Sequence, residues 1–234
     1  MINIIKGVFF PQSCVVCGEA VKLKSSIVCE KCKDKVSFLR GKPCLKCGIV
    51  VEDENEQYCE ECLANERFFD RGFVLYTYDE PVKKAIYDLK YNGVCEYGRI
   101  FGEVAVKHFG PELKRYGRIT VVPVPLHTKK EKERGYNQAY EIAFALAENL
   151  PCKLDEKMLV RTENTKPLKE IGDTQRRLSL RGAFKCAKER VAETVCIVDD
   201  IYTTGATIDE CAFTLKRAGV KRVLFLTVSN GGGI

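Results

Sequence analysis

The chain reads as an α/β protein, a parallel sheet with helices on its faces, preceded by a small cysteine-rich module. Three observations predict this. Four CxxC pairs crowd into the first 62 residues. From Gly72 onward, short β-favouring runs alternate with helical ones, the pattern that builds a parallel sheet covered by helices. The 234 residues, 45% hydrophobic and 30% charged, suffice to bury the core of one ordinary domain and leave a small module over. The division expected is 1–66 for the module and 67–234 for the domain.

Taken in order, Phe73 to Tyr78 is the first β-favouring run, and Pro81 opens a helical stretch with Val82, Ala85, Ile86 and Leu89 at helical spacing. Ile119 to Val124 reads as a buried strand ended by Pro123 and Pro125, and Tyr136 to Leu150 as an amphipathic helix. Thr194 to Val198 is a second buried strand, Ala206 to Ala218 a helix stopped by Gly219, and Val223 to Val228 a third strand. The stretch from Thr162 to Leu180 breaks this rhythm, being polar and interrupted by Pro167 and Gly172. A loop of that length in a compact domain is expected to be a functional lid.

No run of 18 apolar residues occurs, so no membrane span is expected. Met1 to Phe10 is apolar but carries Asn3 and Lys6 and meets Pro11, too short for the apolar core of a signal peptide. A cytoplasmic location is expected, free or peripheral at the inner face of the membrane. The net charge is +6, and residues 1–66 hold nine basic and ten acidic side chains, so the positive excess belongs to the second part. It fits an anionic ligand there, phosphates or nucleic acid, and equally a mildly basic soluble surface.

The four pairs are Cys14/Cys17, Cys29/Cys32, Cys44/Cys47 and Cys59/Cys62, each separated from the next by eleven residues. Cys14-Val-Val-Cys17-Gly18 returns as Cys44-Leu-Lys-Cys47-Gly48, and Cys29-Glu-Lys-Cys32 as Cys59-Glu-Glu-Cys62, which reads as one metal-binding unit duplicated. A CxxC turn lets two thiolates reach one ion, and the glycine lets the backbone fold under it. Eight thiolates make two four-cysteine zinc sites, structural because a full shell leaves no open position. Sequential pairing is simplest, while a cross-brace of alternate pairs remains open. The other five, Cys95, Cys152, Cys186, Cys196 and Cys211, lack partners at ligand spacing and read as small buried apolar residues.

The segment Val195-Cys-Ile-Val-Asp199-Asp200-Ile-Tyr-Thr203-Thr204-Gly205-Ala206-Thr207 is a buried strand ending in two acids, then a small-hydroxyl turn opening a helix. Backbone N–H groups of 204–207 converge at a helix N-terminus, where free donors and partial positive charge suit a phosphate. Hydroxyls of Thr203, Thr204 and Thr207 add donors, and Gly205 lets the chain approach closely. The two carboxylates, expected partly exposed at the sheet's C-terminal edge, would accept hydrogen bonds from sugar hydroxyls, so the whole fits a ribose 5-phosphate. A second constellation is Val122-Pro-Val-Pro125-Leu126-His127, then Lys129, Lys130, Lys132 and Arg134-Gly-Tyr-Asn-Gln, whose cations can neutralise a pyrophosphate. Taken alone, that basic run reads as the solvated start of a helix, and His127 as a loop cap.

The first segment resembles the PRPP-binding motif of type I phosphoribosyltransferases. That resemblance implies their fold, with Asp199 and Asp200 on the ribose 2′ and 3′ hydroxyls and residues 203–207 on the 5′-phosphate. Together with the VPLH and RGYNQ segment and the four CxxC pairs, the chain is similar to the ComF family of competence-associated proteins along nearly its whole length. This implies a pyrophosphate loop at 123–129 and a role in taking up transforming DNA beside a DNA-translocating competence helicase. In the lid, Thr165, Arg176, Gly182, Ala183 and Phe184 match the family pattern, whereas Leu168, Gln175 and Ser179 depart from it.

The activity expected is that of a pentosyltransferase displacing pyrophosphate from PRPP onto an unknown acceptor. Asp199 and Asp200 orient the sugar, Arg176 arrives on the lid, Lys129, Lys130 and Arg134 balance the leaving group, and magnesium bridges pyrophosphate oxygens. The rival is a non-catalytic PRPP sensor or single-stranded-DNA-binding component of an uptake complex. The near-neutral charge of residues 1–66 argues against phosphate binding by the zinc module itself.

Overall fold

A computed structural model describes residues 13–21, 26–162 and 180–231. The first strand, β1 (Arg71–Tyr76), starts two residues before the β-favouring run. It is followed by α2 (Glu80–Tyr91), which comes after a short α1 (Glu60–Ala64) in the cysteine module. Asp79 caps α2 by accepting from the Val82 N–H at 3.0 Å, and Val82, Ala85, Ile86 and Leu89 form its buried face, as the spacing predicts. The long α3 (Glu96–Lys114) leads to β2 (Ile119–Pro123), a short α4 (Thr128–Arg134) and α5 (Gln138–Asn149). Then come β3 (Lys153–Leu154), the antiparallel pair β4 (Leu159–Arg161) and β5 (Phe184–Cys186), β6 (Thr194–Tyr202), α6 (Ala206–Arg217) and β7 (Arg222–Asn230).

Among the described residues the main sheet has five strands in the order β1-β7-β6-β2-β3, all parallel. Side chains alternate across it. Cys196 and Val198 of β6 face one core with α2, α3 and α5, while Val195 and Ile197 face the other with α6, β4 and β5. Burial on both faces explains why these strands read as unbroken apolar runs. Tight packing of α3 on α5 depends on two glycines: a Cβ at Gly98 would lie 2.6 Å from Glu141 Cβ, and one at Gly102 would lie 2.5 Å from the Ile142 carbonyl oxygen.

The two cysteine units join opposite cores, Cys14, Cys29 and Cys32 the first and Cys44 and Cys47 the second. Residues 37–39 link them by running antiparallel along the edge of β1, with Leu39 N–H on the Leu75 carbonyl and Thr77 N–H on the Ser37 carbonyl, both at 3.0 Å. Two expectations need correction. The two acids lie inside β6, which continues to Tyr202 because β7 pairs with it as far as Asn230. Cys95 is exposed and Cys152 and Cys186 are half-buried, leaving only Cys196 and Cys211 of the five as buried core residues, since only these two lie in packed segments of β6 and α6.

Candidate functional site

Each cysteine unit begins with the same turn. Gly18 N–H returns to the Cys14 carbonyl at 2.9 Å and Gly48 N–H to that of Cys44 at 3.0 Å, with φ +76° and +78° at the two glycines. That left-handed conformation is why glycine follows the second cysteine. The ligand atoms group as Cys14, Cys17, Cys29 and Cys32, and as Cys44, Cys47, Cys59 and Cys62, all within 4.8 Å of one another in each set. Pairing is therefore sequential, and the cross-brace is excluded. Separations of 3.6 Å for Cys17–Cys29 and 3.5 Å for Cys47–Cys59 fit zinc, since Zn–S bonds of about 2.3 Å give a tetrahedron edge of about 3.8 Å.

The second constellation forms at the carboxyl ends of β2 and β6. These neighbouring strands are where the chain order reverses, β3 lying beyond β2 and β7 beyond β6, and such a switch point opens a crevice for ligands. From β6 come Asp199 and Asp200, and the turn 203–205 then feeds α6. Gly205 is the N-cap in the left-handed region at φ +76°, and the Thr204 hydroxyl accepts weakly from Ala206 N–H at 3.4 Å. Thr203 is exposed, Thr204 and Thr207 half-buried, and Gly205 and Ala206 buried, so the turn shows hydroxyls outward and backbone beneath.

From β2 the chain continues through Pro125, Leu126 and His127, all half-buried, after Val124 N–H extends the pairing to the Val198 carbonyl at 2.9 Å. His127 is the N-cap of α4, its Nδ1 accepting from Lys129 N–H at 3.2 Å, which is the loop-capping role. Lys129 and Lys130 are exposed on α4, and Arg134 is half-buried, donating to Gln138 and lying over the Tyr91 ring at 5.6 Å. Arg176, with Thr165, Leu168, Gln175 and Ser179, lies outside the described residues.

The carboxylates are not equivalent, and one departs from expectation. Asp200 is only 4% exposed, because β6 is central and its side chain turns under the last turn of α2. There Lys90 Nζ meets its Oδ1 at 2.9 Å, while Oδ2 is buried without a hydrogen-bond partner. Burial pulls the Lys90 ammonium down, and the Asp200 and Asp199 carboxylates more than reverse this, leaving its pKa above the ordinary value. Asp199 is half-buried and accepts from Asp200 N–H at 2.9 Å. Burial and then the Asp200 charge push its carboxyl up from 3.8 to about 7, against the pull of Lys90 and Arg161. Desolvation and then the charges of Arg161, Arg134 and Lys90 hold the Lys130 ammonium below its usual value. These cations thus share one field over the acid pair.

Lys90 and Arg161 escaped the sequence reading. Neither stands in a motif; Lys90 follows the buried face of a helix and Arg161 ends a three-residue strand, and only the fold brings them to the crevice. An unpartnered buried carboxylate oxygen needs a donor or a cation. The donor set here is two acids, one of them paired with Lys90, in the field of Lys130 and Arg161.

Residues 5–63 match the family described as double zinc ribbon domain. With the thiolate geometry, this establishes two structural zinc sites. Over 225 residues the chain is 26% identical to "Competence protein F" of Haemophilus influenzae, covering 92% of this chain and 95% of that protein. The chain is thus similar to competence proteins of the ComF type along most of its length. Other relatives agree: "Competence protein ComFC" of Bacillus subtilis is 28% identical over 82% of this chain and 79% of its own, and "DNA utilization protein YhgH" of Escherichia coli strain K12 is 25% identical over 91% and 94%. The ComF likeness thus spans both cysteine units and the sheet.

Proposed function

We propose that the crevice between β2 and β6 binds PRPP and that this chain serves the uptake or use of DNA, as the names of its relatives say of them. The observation carrying this is the Asp199–Asp200 pair at the switch point, running into a phosphate-sized turn and overhung by Lys90, Lys130, Arg134 and Arg161. Asp199, the more exposed of the pair, accepts a ribose hydroxyl once ionised, and Asp200 accepts the neighbouring one with its carboxylate turned out from its buried place on Lys90. Residues 203–207 hold the 5′-phosphate by backbone and hydroxyl donors. Lys129, Lys130 and Arg134 face the pyrophosphate and stabilise its charge as it leaves. Magnesium, when bound with PRPP, supplies further neutralisation of the pyrophosphate oxygens. His127 acts on this loop by capping α4 and so directing the Lys129 and Lys130 stems.

A non-catalytic PRPP sensor is the second reading, favoured by the departures at Leu168, Gln175 and Ser179 from the family's lid pattern. Calorimetry with magnesium-PRPP tests binding, and pyrophosphate release across a panel of acceptors separates transferase from sensor. Absence of binding by the wild-type protein would remove both readings.

A further inference from the structure

Arg67 lies between the second zinc unit and the phosphate turn, in the wall of a cleft of about 880 Å³ that Glu61, Thr203 and Thr204 also line. It is 6% exposed, unusual for a guanidinium unless it is held by several partners. Nη2 donates to Glu61 Oε2 at 3.0 Å, Nη1 donates to the Thr204 carbonyl at 3.1 Å, and Nη1 is 3.9 Å from Asp209 Oδ2 on α6. Asp209 in turn accepts from Phe68 N–H at 2.8 Å, closing a loop of contacts around residues 67 and 68. Glu61 stands between two zinc ligands, Cys59 and Cys62.

The Thr204 contact has a directional consequence. In a planar trans peptide the carbonyl and the following N–H point opposite ways. A cation that fixes the Thr204 carbonyl from one side therefore aims the Gly205 N–H to the other, away from Arg67. Glycine in the left-handed region would otherwise let this peptide swing freely. No equivalent link reaches the turn from Cys14, Cys17, Cys29 or Cys32 among the described residues; that unit packs instead on α3, where Tyr97 OH donates to the Ser13 carbonyl at 3.2 Å.

We infer that Arg67 is a positioning residue for the 203–207 turn and that, through Glu61, it ties the shape of that turn to the second zinc site and not to the first. The part of this inference that concerns phosphate rests on the function proposed above; the mechanical coupling does not. Hydrogen exchange of the full-length protein tests the coupling without any ligand. Arg67→Lys, which keeps charge but loses the fork, and Glu61→Gln, on an exposed side chain, are expected to speed exchange at Gly205 and Ala206 about tenfold and about threefold while both zinc ions stay bound. Cys62→Ser should speed the same amides, and Cys17→Ser should leave them at the wild-type rate. Unchanged exchange in Glu61→Gln and Cys62→Ser, or equal acceleration by Cys17→Ser and Cys62→Ser, would overturn the inference even if Arg67→Lys failed to fold. Ribose 5-phosphate is the probe for the other part: about tenfold weaker binding by Arg67→Lys is expected. If the wild type does not bind it, the phosphate reading fails while the exchange result still decides the coupling.

Discussion

The two zinc units share ligand spacing, turn geometry and a positive-φ glycine, yet they are embedded differently. The first lays apolar residues such as Val15, Ile27 and Val28 on the core of α2 and α3. The second is held through its backbone: Gly72 N–H donates to the Lys46 carbonyl at 2.8 Å, and Arg71 donates to that of Cys44 at 2.9 Å. Gly48 and Gly72 press so close that a Cβ on Gly48 would lie 2.4 Å from the Gly72 carbonyl oxygen. A duplicated motif therefore predicts two similar metal sites, but not what each one supports. Docking is decided by residues outside the repeat.

The most forceful way to break this comparison is to remove a ligand from each unit. Cys47→Ser is expected to lose one zinc ion of two and about 3 kcal/mol or more of stability, because Cys47 is buried against β1 and metal binding is coupled to folding. Cys17→Ser, on an exposed thiol, should also lose one zinc but cost clearly less. Elemental analysis with thermal melting checks both; equal melting points would mean that the two units are embedded alike.

At the acid pair the comparison sharpens between neighbours. Asp199→Asn is expected to weaken magnesium-PRPP binding about tenfold to a hundredfold, since a hydrogen bond to a charged acceptor is worth about 1.5–3 kcal/mol. Asp200→Asn should weaken it at least as much and also destabilise the fold, because it leaves Lys90 facing a neutral partner in a largely buried site. Paired calorimetry and melting on the two variants would show whether binding and folding separate at 199 and coincide at 200.

A smaller effect concerns pH. A carboxyl raised from 3.8 to about 7 on folding binds more protons folded than unfolded between those values, so stability present below 3.8 is progressively lost as pH rises towards 7. Melting of the wild type without ligand should fall across that window relative to Asp199→Asn, which does not titrate. Parallel curves would show that Asp199 is ionised throughout.

The smallest effect separates module from sheet. If single-stranded DNA binds the basic part, Lys132→Ala should lower the logarithmic salt slope of binding by about 1, whereas Lys31→Ala in the first zinc unit should leave it unchanged. Titrations at several salt concentrations on the full chain decide this.

Much of the molecule was legible in its sequence because repetition and periodicity are local. The cysteine spacing and the apolar runs at Ile119 and Thr194 need no tertiary knowledge. What escaped was long-range or masked by small residues. The helix α3 carries Gly98, Gly102, Gly110 and Pro111, which look like breakers, yet Gly98 and Gly102 are there so that α5 can approach. Strands β3, β4 and β5 are two or three residues long, too short for any period to show. Of the crevice, the two acids and the turn were readable, while burial of Asp200 by Lys90 depends on where α2 ends relative to β6.

The strand-like path of residues 37–39 has a consequence for assembly. It occupies hydrogen-bonding groups of β1 that would otherwise be open at one border of the sheet, and Phe38 stacks on Tyr76 at 5.0 Å between ring centres to hold it there. At the opposite border stands β3, with two residues only. Among the described residues, neither border of this sheet offers a long ladder on which a second molecule could add a strand, the usual route to fibres and to sheet-continuing dimers. Sheet-continuing association of copies is thus disfavoured at both borders of the five-stranded sheet.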